Sequence, residues 1–448
     1  MCGIICVYSP KGLNTSIMSN ISHRGHDSYG ISYFHKRRII NYYNQGKVDS
    51  NKLLEIGKEI NSNKGLYYIG HTRYSTSGNS TRSQPFNGTT TINNKGQDYI
   101  LVHNGNISNR KALYKLYKCD ISESLTDTEI LVNIINNMKQ NNWYEILQEI
   151  LSKILGVYCI MIGVADKIYI LRDTYGVRPL CLCRNNKTNS LCVISEDNNL
   201  IEDGYTFVKN IKPGTIGMVD KNGYREIYSK FNYFTPCSLE YIYFLNQKSN
   251  TDNVNVENFR YRCGVELSKG DTFYDYNDII VSGIPETGII SGLGFADSLD
   301  LNYQQVIKKK EEGRTFILKN NEERRKAITQ KFAISDIIKN KTLILVDDSL
   351  VRGNTLKILI EQCKSFGVKE VHIRIVSPPV ISECYYGIDI PTKEELIASK
   401  MSVDEIKEYI GCDSLKYLDI KSMIDILPNK NACTSCFTGN YNNSLLDW

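Results

Sequence analysis

What the chain has least of is net charge. Its 448 residues carry 54 Lys and Arg against 49 Asp and Glu, a formal net of +5 at pH 7. So near a balance makes no electrostatic case for nucleic acid as a partner. Long apolar runs are also missing. A helical membrane span needs about 20 apolar residues in a row. The longest run, residues 155–165, is the size of a core strand, so no membrane partner is expected. No basic segment precedes the short apolar stretch at the N-terminus, which argues against a secretory signal. Proline (10) is scarce, and no internal repeat or low-complexity linker is visible.

Cysteine is not scarce. Fourteen of them, in a chain with ordinary hydrophobic (41%) and charged (23%) content, suggest a reducing, cytoplasmic setting. There thiols act as core fillers, nucleophiles or metal ligands rather than disulfide partners. The length allows two or three domains. In the first half, apolar runs at 66–70, 99–102, 157–164, 167–172, 191–195 and 215–219 alternate with Gly, Asn and Asp turns and predict antiparallel strands. An amphipathic helix is expected over 127–139, with Ile130, Leu131, Ile134, Ile135 and Met138 on one face. In the second half, strand-like 278–282, 342–346 and 370–376 are each followed by a loop and a helical pattern, the rhythm of a parallel sheet. The change of character predicts one domain over 2–235 and another over 236–448.

Three constellations carry chemistry. The first is Met1-Cys2-Gly3-Ile4. Loss of Met1 would leave Cys2 with a nucleophilic thiol and a free α-amine as its own general base. The alternative is a strand with a buried thiol. The second is the segment from Lys341 to Thr355. A buried apolar strand ends in Asp347-Asp348, and Ser349-Leu350-Val351-Arg352-Gly353-Asn354-Thr355 leads into a helix expected over 356–366. Hydroxyls, a glycine and backbone N–H groups at a helix N-terminus make an anion site. Carboxylates beside it call for ribose hydroxyls and a divalent cation such as Mg²⁺; a solvated Asp pair is the alternative. This segment closely resembles the phosphoribosyl-pyrophosphate (PRPP) motif of the type I phosphoribosyltransferases.

The third constellation is His71-Thr72-Arg73-Tyr74-Ser75-Thr76-Ser77-Gly78 with His103-Asn104-Gly105-Asn106-Ile107. Arg73 offers a fork for a carboxylate. Asn104 and the Gly105 N–H can donate to an oxyanion. Asp127 either receives an α-ammonium or is simply an acid at a helix N-terminus. With Cys2, His23-Arg24-Gly25 and Arg172-Asp173 followed by Val177-Arg178-Pro179-Leu180, these resemble the N-terminal-nucleophile (class II) glutamine amidotransferases over residues 2–230. That resemblance implies Cys2 as nucleophile, Arg73 and Asp127 as glutamine ligands, and Asn104 with Gly105 as oxyanion hole. His26 departs from it, standing where the family usually has Gln.

Together the two resemblances match the amidophosphoribosyltransferase family, and its iron–sulfur branch. The implied fold is mixed α/β and α+β: a glutaminase sandwich followed by a type I phosphoribosyltransferase parallel-sheet domain. The implied reaction makes 5-phosphoribosylamine, glutamate and pyrophosphate from glutamine, PRPP and water, with ammonia crossing an apolar passage. Purine nucleotides are the implied inhibitors, and a homo-oligomer, a tetramer, the implied assembly. Thr287 in Pro285-Glu286-Thr287-Gly288 is carried over as a Mg²⁺ contact beside Asp347 and Asp348. Gly313-Arg314-Thr315-Phe316-Ile317, Arg324 and Lys331 resemble the loop that closes over PRPP. Departures are Leu245-Asn246-Gln247-Lys248 for Ala-Arg-Pro-Asp, and Lys319 and Asn321 for Pro and Gln. Two readings from other classes stay open: a non-catalytic PRPP or purine sensor, and a glutaminase whose acceptor domain has drifted.

Cys433-Thr434-Ser435-Cys436 is a lone C-x-x-C. By itself it allows a metal site, a redox pair or neither. The family resemblance implies that Cys237, Cys384, Cys433 and Cys436 ligate a 4Fe–4S cluster.

Overall fold

The structure, a computed structural model, describes residues 1–74, 83–119, 125–198, 200–231, 233–273, 278–310 and 332–442. Two seven-stranded sheets form the N-terminal half. One runs Thr206–Asn210, Cys181–Asn185, Ser190–Ile194, Gly3–Tyr8, Tyr67–Arg73, Ser28–His35, Arg38–Gln45. The other runs Gly223–Ser229, Thr215–Asp220, Lys167–Arg172, Gly156–Val164, Lys95–Ile107, Phe86–Ile92, Lys139–Gln140. Strand alternation gives each sheet an inner face. Ile4, Cys6 and Ile69 from the first sheet meet Ile100, Val102, Met161 and Ile170 from the second in one buried cluster.

The expected strands are present, and two run further than hydropathy suggested. Tyr67–Arg73 continues through polar His71 and Thr72, which pair with Ile4 and Gly3. Lys95–Ile107 continues through Asn104 and Gly105, which pair with Cys159 and Tyr158. Tertiary pairing carries both strands past the point where the apolar pattern stops, and it places the candidate residues there. The expected helix is Asp127–Asn137, begun by a Thr126–Glu129 capping box. It buries Ile130, Leu131, Ile134 and Ile135, while Met138 is already extended.

The C-terminal half is built on a four-stranded parallel sheet, ordered Ile279–Gly283, Thr342–Asp347, Glu370–Ile375, Ser414–Tyr417. The last strand, half polar, was not expected from the sequence. Both faces are covered, as a parallel sheet requires. Ile279, Val281, Ile344 and Val346 pack with Phe259 and Phe295 of the helices Val256–Ser268 and Gly288–Ser298. Ile280, Leu343 and Leu345 pack with Leu356 and Leu359 of the helix Asn354–Ser365 and with Ile406 of Val403–Ile410.

A buried charge set joins the halves. Arg24 Nη1 lies 3.1 Å from Glu196 Oε1, and its Nη2 is 2.9 and 3.1 Å from the two Glu240 oxygens. Arg178 Nη1 approaches Glu240 Oε1 at 3.5 Å. Glu196 also takes His23 Nε2 at 2.6 Å, the Asn246 N–H at 2.9 Å and the Ser249 hydroxyl at 2.7 Å. Nearby, fully buried Arg172 grips Asp252 with two bonds of 2.9 and 3.1 Å.

Removing one member of a buried charge set costs about 3–5 kcal/mol, because the partner charge is stranded. Glu240→Gln should therefore lower the urea midpoint sharply. Burial alone would raise the Glu196 carboxyl, but His23 and Arg24 overcome it and hold it at about 2, against an ordinary 4.5. Its stabilisation is present above the ordinary value and is lost as pH falls towards the lowered one. The wild-type midpoint should drop across that acid window, and Glu196→Gln should lack that part of the slope.

Candidate active site

The central strand of the first sheet, Gly3–Tyr8, presents Cys2 at its N-terminal end. The Cys2 thiol is partly exposed and lies 3.7 Å from the Tyr74 carbonyl, while Arg24 Nε donates to the Cys2 carbonyl at 3.1 Å. Met1 is buried, and its sulfur accepts from Arg178 Nη1 at 2.7 Å. Desolvation lowers the Met1 amine to about 6. Arg73 ends the neighbouring strand and is buried. Ser75 to Gly78 lie outside the described residues.

On the facing sheet, Asn104 is buried and its amide Nδ2 has no hydrogen-bond partner among the described residues. An orphaned buried donor is costly and asks for a reason. Gly105 follows because nothing larger fits: a Cβ would stand 1.9 Å from the Val157 carbonyl oxygen. Gln84 braces this strand. Its amide donates to the His103 carbonyl at 3.2 Å and to Thr128 Oγ1 at 2.9 Å, and its oxygen accepts the His103 N–H at 2.7 Å. Burial depresses His71 and His103 to about 3, so both are neutral structural imidazoles. Asp127 is the first helical residue after the Thr126 cap. It accepts the Ile107 N–H at 3.0 Å and faces Arg110 at 3.3 Å. Burial raises its carboxyl against the pull of both.

In the C-terminal half, the sheet delivers Asp347 and Asp348 at the end of Thr342–Asp347, where ligands of open α/β sheets sit. Asp348 is buried, bonded to Ser349 Oγ at 2.5 Å and to Thr287 Oγ1. Burial raises its carboxyl despite these hydroxyls and nearby Arg260. Gly353 caps the helix Asn354–Ser365 at φ 78°, a conformation that favours glycine. Asp347 to Thr355, Thr287 and Lys309 line a cleft of about 980 Å³. The closing-loop positions Gly313 to Ile317, Lys319, Asn321, Arg324 and Lys331 lie outside the described residues.

A second cavity, about 710 Å³, runs from Met1, His26 and Tyr74 to Arg260 and Thr287. It shares Tyr243, Phe244, Glu286, Thr287 and Asp389 with the cleft. The turn at Tyr385–Gly387 reaches back to the first half. Asn106 Nδ2 donates to the Tyr385 carbonyl at 2.7 Å, and Arg178 Nη2 to that of Tyr386 at 2.5 Å. Sequence reasoning missed Gln84, Glu196, Glu240 and Lys309. Gln84, Glu196 and Glu240 take their roles from partners far along the chain, and Lys309 from its place in the cleft wall.

Cys237, Cys384, Cys433 and Cys436 line one small cavity with Arg178, whose Nε is buried without a partner. None of the four is in a disulfide. Among the described residues, no three His, Cys, Asp or Glu side chains are grouped to hold a single metal ion.

A glutamine amidotransferase domain model matches residues 71–202, and a phosphoribosyl transferase domain model matches 266–377. The amidophosphoribosyltransferase of Methanocaldococcus jannaschii is 33% identical, over 98% of this chain and 97% of that one. The allosteric regulatory enzyme of purine biosynthesis superposes with a TM-score of 0.87 at 28% identity, covering 98% of this chain and 96% of that one. Glutamine PRPP amidotransferase from B. subtilis, complexed with ADP and GMP, gives 0.85 at 28%, covering 98% and 97%.

The two polar side chains at the Asn104 strand should respond differently to truncation. Gln84→Ala strands the groups it pairs and should cost about 1–3 kcal/mol in thermal unfolding. Asn104→Ala breaks no amide donor bond and should cost less, under about 1 kcal/mol. Equal losses would contradict the orphaned-donor assignment.

Proposed function

The chain belongs to the amidophosphoribosyltransferase family, making 5-phosphoribosylamine, glutamate and pyrophosphate from glutamine, PRPP and water, and from that premise we propose which residues carry each step. The domains divide as 2–235 and 236–448. Met1 is removed, and the exposed α-amine of Cys2 takes the thiol proton as sulfur attacks the glutamine amide carbon. The orphaned Asn104 Nδ2, the observation that carries this assignment, donates with the Gly105 N–H to the oxyanion. Arg73 holds the glutamine carboxylate and Asp127 its ammonium. Water then cleaves the thioester to release glutamate.

Ammonia reaches the second centre through the cavity bounded by Tyr243, Phe244 and Leu245. The lining is mixed rather than apolar as expected, since His26, Arg24 and Lys248 also border it. At the second centre, Ser349, Val351, Arg352, Gly353, Asn354 and Thr355 cradle phosphate at the helix N-terminus. Asp347 and Asp348 orient the ribose. Asp347, Asp348 and the Thr287 hydroxyl form a hard oxygen set that would hold Mg²⁺. When bound, it would neutralise charge on the leaving pyrophosphate. ADP and GMP in the B. subtilis relative support purine nucleotides as inhibitors here. A cytoplasmic homo-oligomer is part of the same reading; no helix among the described residues is long and apolar enough to cross a membrane.

The four cysteines fit a 4Fe–4S cluster better than a single ion. The four residues line one cavity, and Arg178, whose Nε has no partner among the described residues, supplies a donor beside an anionic thiolate assembly. Anaerobically purified protein should be brown, with about four iron and four labile sulfides per chain. Ser at Cys237, Cys384, Cys433 or Cys436 should remove both; Ser at Cys263 or Cys412 should not. Stoichiometric zinc without sulfide would sink the cluster.

Cys2→Ala should abolish glutamine-dependent synthesis and spare ammonia-dependent synthesis. Asn104→Ala should cut the glutamine-dependent rate by roughly 10²–10³. Asp347→Asn with Asp348→Asn should eliminate both activities. PRPP-dependent formation of glutamate and pyrophosphate also separates the enzyme from a sensor or a bare glutaminase. An intact Met1 in active enzyme, seen by mass spectrometry, would refute the amine's role.

A further inference from the structure

The far end of the sandwich holds a cavity that the reaction does not use. Its floor includes Tyr67, which pairs with Tyr8 at the opposite end of the strand from Cys2. The cavity is about 1020 Å³, within the size range of a small-molecule site. Phe34, Leu66, Tyr67 and Ile92 give it an apolar lining. The Phe34 ring is partly exposed and packs 6.4 Å from the Tyr67 ring, which is fully buried beneath the floor.

Lys36, Arg37, Lys64 and Lys95 stand around the rim. Each is exposed, and among the described residues none of them makes an ion pair. The one carboxylate in the lining, Asp98, accepts from Thr89 Oγ1 at 2.6 Å. Three of the cations sit at turn positions with φ of 46° (Lys36), 66° (Arg37) and 54° (Lys64). Gly or Asn would adopt those turns at lower cost. The chain instead carries long cations there, converging from two sheets on one apolar floor.

We propose that this cleft is a binding site for a small aromatic anion, its ring on the accessible Phe34 and Leu66 side chains and its acidic group held by Lys36, Arg37, Lys64 and Lys95. The pairing of unneutralised cations with an accessible apolar floor selects that class over a neutral apolar ligand or a bare inorganic anion.

The test uses the full-length enzyme and anilinonaphthalenesulfonate, a fluorescent aromatic sulfonate, titrated with and without saturating PRPP. One saturable site per chain is expected, insensitive to PRPP. Lys36→Glu with Arg37→Glu should weaken it by about tenfold or more, and Lys64→Gln with Lys95→Gln should weaken it less. Amidotransferase activity should stay unchanged in both variants, which also reports that they are folded. Equal affinity in wild type and variants would overturn the proposal. So would displacement by PRPP, which would put the probe in the transferase cleft. Equally tight binding of neutral N-phenylnaphthylamine would remove the anionic requirement and overturn it too.

Discussion

Arg24 is the pivot of this molecule. A fully buried guanidinium survives only where its charge is matched and its donors are used. Glu196 comes from the N-terminal half and Glu240 from the junction, so neither half alone satisfies it. The same side chain holds the Cys2 carbonyl through Nε. The placement of Cys2 is thereby tied to Glu240 at the junction. The Tyr385–Gly387 turn adds to this, bonding Asn106 beside the oxyanion candidates.

Two departures from the family pattern lie beside that frame. Asn246 meets Glu196 through its backbone N–H, a contact indifferent to side chain, and its Oδ1 closes a local turn onto the Lys248 N–H at 3.0 Å. His26 is exposed on the wall of the connecting cavity, where burial and nearby Lys47 and His23 lower it. Neither side chain belongs to the buried charge set.

Environment sorts the cysteines. Cys6, Cys159 and Cys363 are core fillers, pushed up to about 12 by burial and so inert as nucleophiles. Cys2 is partly exposed at a strand end, and four others meet at one cavity under Arg178. Identical thiols thus divide into packing, proposed catalysis and proposed ligation by what surrounds them.

The sequence by itself determined the elements whose cause is local. Apolar runs located the main strands, a helix over 127–139 was expected from periodicity, and the Asp347–Thr355 motif stood out because strand end, glycine and helix start are contiguous. Motif resemblance singled out Cys2, Asn104, Gly105 and Arg73 as candidates. Tertiary structure alone decided how far the strands ran into polar residues, since His71 and Asn104 are extended only by pairing with Ile4 and Cys159. It also decided the partners of Arg24, the bracing by Gln84, the convergence of four cysteines separated by up to 199 positions (436 − 237), and the cation-rimmed cleft. Local preferences are written in neighbouring residues; charge matching and cavities depend on groups that meet only when the chain has folded.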